Sequence, residues 1–184
     1  LGSSPYSSRQ QLRTLDQELA SFKEFLPEDL QLNPTRLMIM CHSEDARPYT
    51  ALHTFLHLCS CDLFRFLIPG IKESVSTGAV AQTPLEYIQY CQQRCLRNAV
   101  SCCDLWDQIY QSQTRSCIDR GVLAIALYQC AKIIDHLHHL LPLQGLAPLP
   151  VLKDKLRNAL SIATRPSVKC EWIERCVSHK LALT

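Results

Sequence analysis

The stretch YTALHTFLHLCSCDLFRFLIPG, residues 49–70, decides the fold. Its apolar side chains recur every three or four residues, which is typical of a helix with one apolar face. Pro69 and Gly70 mark its end, because proline cannot continue a helix and glycine accepts the turn that follows. The pattern predicts one helix of about five to six turns. Its predicted apolar stripe consists of Leu52, Phe55, Leu56, Cys59, Leu63, Phe66 and Leu67.

This helix is expected to be the buried element against which the long helices that follow it pack. Cys59, Leu63 and Phe66 are predicted to face the core. Asp62 and Arg65 are three residues apart, so they can form an ion pair on the exposed edge of the helix.

The composition is that of an ordinary globular domain. The 184 residues are 47% hydrophobic and 20% charged, with only 5 glycines. Nineteen basic and 17 acidic residues give a formal charge of +2, which is too balanced to indicate a nucleic-acid or membrane partner. No apolar run reaches the ~20 residues of a membrane span, and the polar start LGSSPYSSRQ lacks the pattern of a signal peptide. Because the first residue is not methionine, we expect a fragment of a longer protein.

Further helices are predicted on both sides of this stretch. The first, residues 9–26, has a stripe that includes Leu15 and Phe22 and ends at Pro27. The clearest helix start is Thr83-Pro84-Leu85-Glu86, in which Thr83 and Glu86 form a predicted capping box. The remaining predicted helices are 83–111, 116–141, 151–163 and 168–183.

The segments between the helices are predicted to be irregular. Residues 37–40 form either a short buried strand or an extended connector, and residues 72–82 form a polar loop. Residues 142–150 form a proline-containing linker. The predicted fold is all-α, a bundle or array of five to six helices. Residues 1–141 form the main part of the domain, and residues 142–184 extend it.

The cysteines are predicted to be free and mostly buried. There are 11, an odd number, and most occupy apolar positions of helices, where a thiol behaves as a small hydrophobe. This pattern favours a reducing compartment over a disulfide scaffold. Cys91, Cys95, Cys102 and Cys103 belong to one helix and are predicted to pack in the core, because structural zinc sites favour C-x2-C pairs and this chain contains none.

One column of side chains could bind a metal. His53, His57 and Cys61 are spaced by four residues, so they share a face of the predicted helix and could together hold zinc. The favoured interpretation is packing against neighbouring helices, because the chain contains no H-E-x-x-H motif. The histidines of the run 136–139 are interpreted as helix C-terminal groups that interact with the dipole.

Three segments in the right order resemble a known family. LDQELASFKEFLPEDL, residues 15–30, resembles the segment LD-EL--W---LP--L of the fungal-specific transcription factor domain. Residues 52–70 are similar to its helix LH--YH-C-CDLYRF--PG, and residues 84–99 to the helix after it. The resemblance covers residues 12–141. Phe22 and Phe55 are mild departures at aromatic positions of the family, and Ser60 stands where histidine is frequent. The matching residues of the middle segment are Leu52, His53, Cys59, Cys61, Asp62, Leu63, Arg65, Phe66, Pro69 and Gly70.

The resemblance implies a regulatory, non-catalytic domain of a nuclear zinc-cluster transcription factor. Such factors bind DNA through a separate N-terminal module, in which six cysteines hold two zinc ions. This chain lacks that module, so DNA and zinc binding are expected of the parent protein and no cofactor is expected here. The implied partners are a small-molecule effector, a co-regulator protein or a second copy of the chain, with no membrane partner.

Two other functions remain as alternatives. The first is an all-α metal-dependent enzyme that uses the column of His53, His57 and Cys61. The second is a helical interaction scaffold without a role in transcription. Metal analysis distinguishes the enzyme from the regulatory domain, and the coding sequence upstream of Leu1 distinguishes the scaffold from it.

Overall fold

The computed structural model describes residues 5–71, 74, 76–112 and 120–163, and this part of the chain is helical without any β-strand. The all-α prediction is therefore confirmed. Short 3-10 turns lie at Glu28–Leu30, Arg65–Leu67, His138–Leu140 and Pro142–Gln144. The α-helices are α1 Pro5–Glu24, α2 Pro34–Cys41, α3 Ala46–Phe64, α4 Thr77–Ala81, α5 Leu85–Gln111, α6 Arg120–Leu137 and α7 Leu149–Ala163.

The centre of the fold is α5. It packs against α3, α6 and α7, and it also contacts α2. Its 27 residues provide the largest share of the core, and the four cysteines predicted to pack there, Cys91, Cys95, Cys102 and Cys103, are all buried. The fully or almost fully buried residues of this helix include Cys91, Cys95, Leu96, Ala99, Cys102, Cys103, Trp106 and Ile109.

Helix α3 packs against α5 and α6 as predicted, but with a different face. Phe55 is 49% exposed and Cys59 is also exposed, so their placement in the core was wrong. Leu63 and Phe66 are only partly buried, although both pack against the core. The side chains that are buried are Tyr49, Thr50, His53, Thr54, Leu56, Leu58, Ser60, Cys61 and Phe64.

The buried face of α3 is rich in polar side chains because their hydrogen bonds are made inside the protein. Ser60 donates its hydroxyl proton to the carbonyl of Leu56 at 3.0 Å, and Trp106 donates its indole N–H to the hydroxyl of Thr54 at 3.3 Å. A buried polar group costs little once it is paired. Hydrophobicity alone therefore identified only part of the buried face: Leu56 and Leu67 of the predicted stripe are buried, whereas Phe55 and Cys59 are exposed.

The segment before α3 is a helix and not a strand. Asn33 caps α2 by accepting the backbone N–H of Arg36 at 2.8 Å, and Pro34 occupies the first turn. Leu37 is buried, whereas Met38 and Ile39 are exposed, which is a helical pattern of burial. The cap and the proline together outweigh the strand-like apolar run.

Other boundaries also differ from the prediction. Thr83 does not cap α5, because its hydroxyl donates to the carbonyl of Ala79 at 2.9 Å and Pro84 stands at the cap position without a side-chain bond. Helix α4 lies inside the predicted loop 72–82. Helix α1 begins and ends earlier than expected, and Leu15 and Phe22 of its predicted stripe are exposed. The predicted helix 168–183 and residues 116–119 lie outside the described residues.

The cysteine prediction is confirmed for the part of the chain that the structure describes. Eight cysteines lie there, all are free, and all but Cys59 are buried. Cys61 and Cys95 form a reciprocal pair in which each thiol donates to the other residue's carbonyl, at 3.5 and 3.6 Å. The hydrogen bond with Cys61, together with burial, raises the pKa of Cys95, so this thiol stays protonated. Among the described helices, none is long and apolar enough to cross a bilayer.

Candidate functional site

A cleft of about 430 Å³ opens where α1, the turn before α2, and α3 meet. It contains two of the three residues of the predicted metal column, His53 and His57. Its lining combines apolar side chains with an amine and a carboxylate. The lining residues are Lys23, Glu24, Leu26, Gln31, Leu32, His53, Leu56 and His57.

His53 connects α3 to the turn before α2. Its Nε2–H donates to the carbonyl of Leu30 at 2.9 Å, and its ring meets Tyr49 edge to face with centroids 4.6 Å apart. Because a carbonyl only accepts, the proton is on Nε2, and Nδ1 of the neutral ring is an acceptor. Burial lowers the pKa of His53, which keeps the ring neutral at pH 7.

His57 connects α3 to α5 through an amide. Its Nδ1 lies 3.2 Å from Oδ1 of Asn98, whose Nδ2 donates to the carbonyl of Arg94 at 2.8 Å. The second bond fixes the orientation of the amide, so Nδ1–H of His57 is the donor and its Nε2 keeps a lone pair. Burial lowers the pKa of His57 to about 4. At neutral pH this residue is an uncharged hydrogen-bond acceptor.

Lys23 supplies the positive charge of the cleft. Its Nζ donates to the hydroxyl of Ser60 at 3.1 Å, and this bond joins α1 to α3. Burial, followed by the nearby charge of Arg94, lowers the pKa of Lys23. A partly desolvated ammonium group gains more from an anionic partner than a solvated one does.

A second cleft, of about 300 Å³, adjoins the first and shares Leu32 and His57 with it. It extends along α5 past Ser101 to Asp104 and Gln108. The carboxylate of Asp104 is already paired with Lys155 at 2.6 Å. His57 therefore lies at the junction of both clefts.

The residues of the predicted metal column do not converge on a common point. His53 is bonded to the turn before α2, His57 to Asn98 of α5, and the Cys61 thiol to the Cys95 carbonyl. Within residues 5–71, 74, 76–112 and 120–163, no group of three or more His, Cys, Asp or Glu side chains could hold a metal ion. Each of the three residues instead makes its own hydrogen bond between α3 and a neighbouring element.

The other residues of the predicted motif serve the end of α3. Arg65 Nε lies 3.2 Å from Asp62 Oδ1, which confirms the predicted ion pair. Gly70 has φ +84, and a Cβ built there would lie 3.2 Å from Nε2 of His136. His136 donates its Nδ1 proton to the carbonyl of Lys132 at 2.8 Å, in agreement with a helix C-terminal role.

Sequence reasoning missed the residues that complete the cleft. Asn98 is 41 residues from His57, and Lys23 is 37 residues from Ser60. Both looked like ordinary polar positions on the exposed side of a helix. Only the register of α1 and α5 against α3 brings them together, and a single sequence carries no signal for that register.

The chain matches no family model, and comparisons with curated proteins and with solved structures also gave no match. The resemblance to the fungal domain is therefore carried by the quoted residues alone.

Proposed function

We propose that the chain is the regulatory, non-catalytic helical domain of a fungal zinc-cluster transcription factor, which acts in the nucleus on RNA polymerase II transcription. Three segments that resemble this family, in the family's order, are the first support. The observation that carries the proposal is the cleft between α1 and α3, because its polar residues are also the ties that hold neighbouring helices in place.

A ligand in this cleft would contact the same groups that hold α1 and the turn before α2 against α3. Lys23 bonds Ser60 across the cleft wall, and His53 bonds the turn before α2. A molecule that takes up either group changes the relative free energies of two positions of α1. A regulatory domain needs such a difference, since a ligand shifts an equilibrium only by its differential affinity for the two states.

The partners of the histidines favour binding over catalysis. A histidine that acts as general base is usually oriented by a carboxylate, which stabilises the protonated ring. The partner of His57 is an amide and that of His53 is a backbone carbonyl. With a pKa of about 4, His57 is a weak base at neutral pH.

Zinc and DNA are assigned to the parent protein and not to this chain. The zinc-cluster module needs C-x2-C pairs, and the 184 residues contain none. The cysteines that pack between α3, α5 and α6 include Cys61, Cys95 and Cys130, which are buried and hydrogen-bonded within the core or to one another. These thiols do not fit the exposed knuckles of a zinc cluster.

A reporter assay tests the proposal. The chain is inserted between a heterologous DNA-binding domain and an activation domain, and the output is compared with that of the fusion without the insert. A regulatory domain should change transcription by about fivefold or more. A matched insert, in which Leu96→Asp disrupts the core of α5, should abolish the effect at equal protein level. Equal output with the intact and the disrupted inserts would contradict the proposal.

Metal analysis of the purified chain separates the proposal from the enzyme alternative. The regulatory domain should contain no stoichiometric metal after purification in the presence of zinc. Stoichiometric metal that is lost in the variant His57→Gln would favour a metal-dependent enzyme. A coding sequence that continues upstream of Leu1 into a six-cysteine module would separate the proposal from a simple scaffold.

A further inference from the structure

We infer that the cleft at Lys23 and His57 binds a small carboxylic acid that carries a hydroxyl or amide N–H next to its carboxylate. The inference rests on the proposed function, because it names the chemical class of the effector of that domain. It follows from which lone pairs and which N–H groups the cleft leaves available.

Lys23 is the group that would bind the carboxylate. An ammonium group has three donors, and the bond to Ser60 uses one of them. The remaining donors are available to a molecule in the cleft that Lys23 lines. Charge-assisted bonds to a carboxylate are roughly twice as strong as neutral ones, so this contact would dominate the binding.

The charges around Lys23 permit an anion. Arg94 and Asp16 form an ion pair and together add no net charge, and Tyr90 donates its hydroxyl proton to the other carboxylate oxygen of Asp16. Asp104, on the far side of His57, is paired with Lys155. Glu24 is the acidic residue among those that line the cleft, and it is exposed to solvent, where its repulsion is screened.

His57 and His53 are the groups that require a donor on the ligand. Both rings use their proton for a bond inside the protein, so the other nitrogen of each ring, Nε2 of His57 and Nδ1 of His53, keeps a lone pair. A carboxylate cannot donate to either nitrogen. A hydroxyl or amide N–H beside the carboxylate can, which selects a bifunctional acid over a simple one.

The apolar side chains of the cleft determine the chemistry of the remainder of the ligand. Leu26, Leu32 and Leu56 also line the cleft and would contact a short carbon chain. The volume of about 430 Å³ lies within the roughly 300–1,000 Å³ that is usual for small-molecule sites. This volume is large enough for a branched or linear acid of several carbons.

Three related probes test the inference on the full 184-residue chain. They are 2-hydroxyhexanoate, hexanoate, which lacks the donor, and 2-hydroxyhexanamide, which lacks the charge. Binding is followed at pH 7 through the imidazole Cε1–H resonance of His57. For molecules of this size we expect a Kd of about 1–10 mM for the hydroxy acid. The amide and the simple acid should each bind at least about fivefold more weakly.

The variant Lys23→Met shows whether the preference for the acid comes from this amine. It should reduce the ratio of acid to amide affinity to about one, whereas Lys153→Met on α7, outside the cleft, should leave that ratio unchanged. A ratio of affinities is insensitive to a modest loss of stability. If Lys23→Met does not fold, as judged by circular dichroism, the comparison of the three probes with the wild-type chain still decides.

Two results would overturn the inference. The first is the absence of a shift at His57 with any probe at about 50 mM, well above the expected Kd. The second is equal affinity for the acid and the amide. Binding without any reporter response would instead contradict the proposed function and leave the ligand class intact. A reporter response without binding of any probe would contradict the ligand class and leave the proposed function intact.

Discussion

Asp16 of α1 and Arg94 of α5 form an ion pair in which Oδ1 and Nη2 are 2.6 Å apart, although 78 residues separate them in sequence. Tyr90 donates its hydroxyl proton to the other carboxylate oxygen at 2.9 Å. Apolar residues of α1 such as Phe22 remain exposed. Helix α1 is therefore held by a few polar contacts more than by burial, and such elements open first in native-state fluctuations.

Replacement of Asp16 should loosen α1 before it affects the core. Asp16→Ala removes the acceptor for two donors, and Arg94 Nε, which is already buried without a partner, loses its compensating charge. Because Arg94 is partly exposed, we expect a loss of about 1–2 kcal/mol. Hydrogen exchange should speed up in α1 and remain slow in α5. The exposed Glu18→Ala on the same helix is the control, and an equal effect of both variants would contradict this role of Asp16.

The buried histidines should make the fold sensitive to mild acid. Burial lowers the pKa of His57 from 6.5 to about 4, and that of His53 is lowered in the same direction. Below pH 6.5 the unfolded chain therefore binds more protons than the folded one. The histidines contribute their full stabilisation above pH 6.5, and this contribution is lost as the pH drops from 6.5 towards 4. The contribution of His57 is at most roughly 3 kcal/mol.

Urea unfolding at pH 7 and pH 5 measures this dependence. In the variant His57→Gln, whose amide can still donate to Asn98, the loss of stability between the two pH values should be smaller than in the wild-type chain. His139→Gln is the matched control, because this side chain is exposed. An unchanged pH dependence in His57→Gln would show that His57 is not buried as a neutral ring.

The two faces of α3 can be told apart by a pair of truncations. Leu58 is buried although it lies outside the predicted stripe, and Phe55 is half exposed although it lies within it. Leu58→Ala should cost about 2–5 kcal/mol through the cavity that it leaves, and Phe55→Ala should cost under about 1 kcal/mol. Chemical denaturation of both variants gives the values, and the reverse order would restore the face that hydrophobicity alone predicts.

The turn after α3 should depend on a glycine for two reasons. Gly70 has φ +84, which disfavours any side chain, and a Cβ there would meet Nε2 of His136 at 3.2 Å. Gly70→Ala should therefore destabilise the protein by about 1–2 kcal/mol. Gly78→Ala in α4, where a Cβ meets nothing within 4 Å, should be neutral or stabilising. The melting temperature of Gly70→Ala should therefore fall, whereas that of Gly78→Ala should stay unchanged or rise.

The sequence predicted the class of the fold because helical periodicity is a local property. Cys91, Cys95, Cys102 and Cys103 of α5 are both predicted to pack in the core and buried there. The prediction failed where two local signals of comparable strength favoured different structures for the same residues. At Asn33 and Pro34 the cap overruled an apolar run, and at Thr83 the hydroxyl bonded back to Ala79 and did not cap the next helix.

Which face of α3 points inward was decided only by the tertiary structure. The apolar spacing of residues 49–70 determined that a helix forms there, since periodicity depends on neighbours along the chain. The predicted end at Pro69 and Gly70 was too late, because α3 ends at Phe64 and a 3-10 turn follows at Arg65–Leu67. His53 and Ser60 are buried because distant residues satisfy them, namely Leu30 and Lys23. Such pairing depends on how helices that are far apart in sequence pack against each other. The cleft is therefore a product of the tertiary structure and cannot be read from the spacing of residues along the chain.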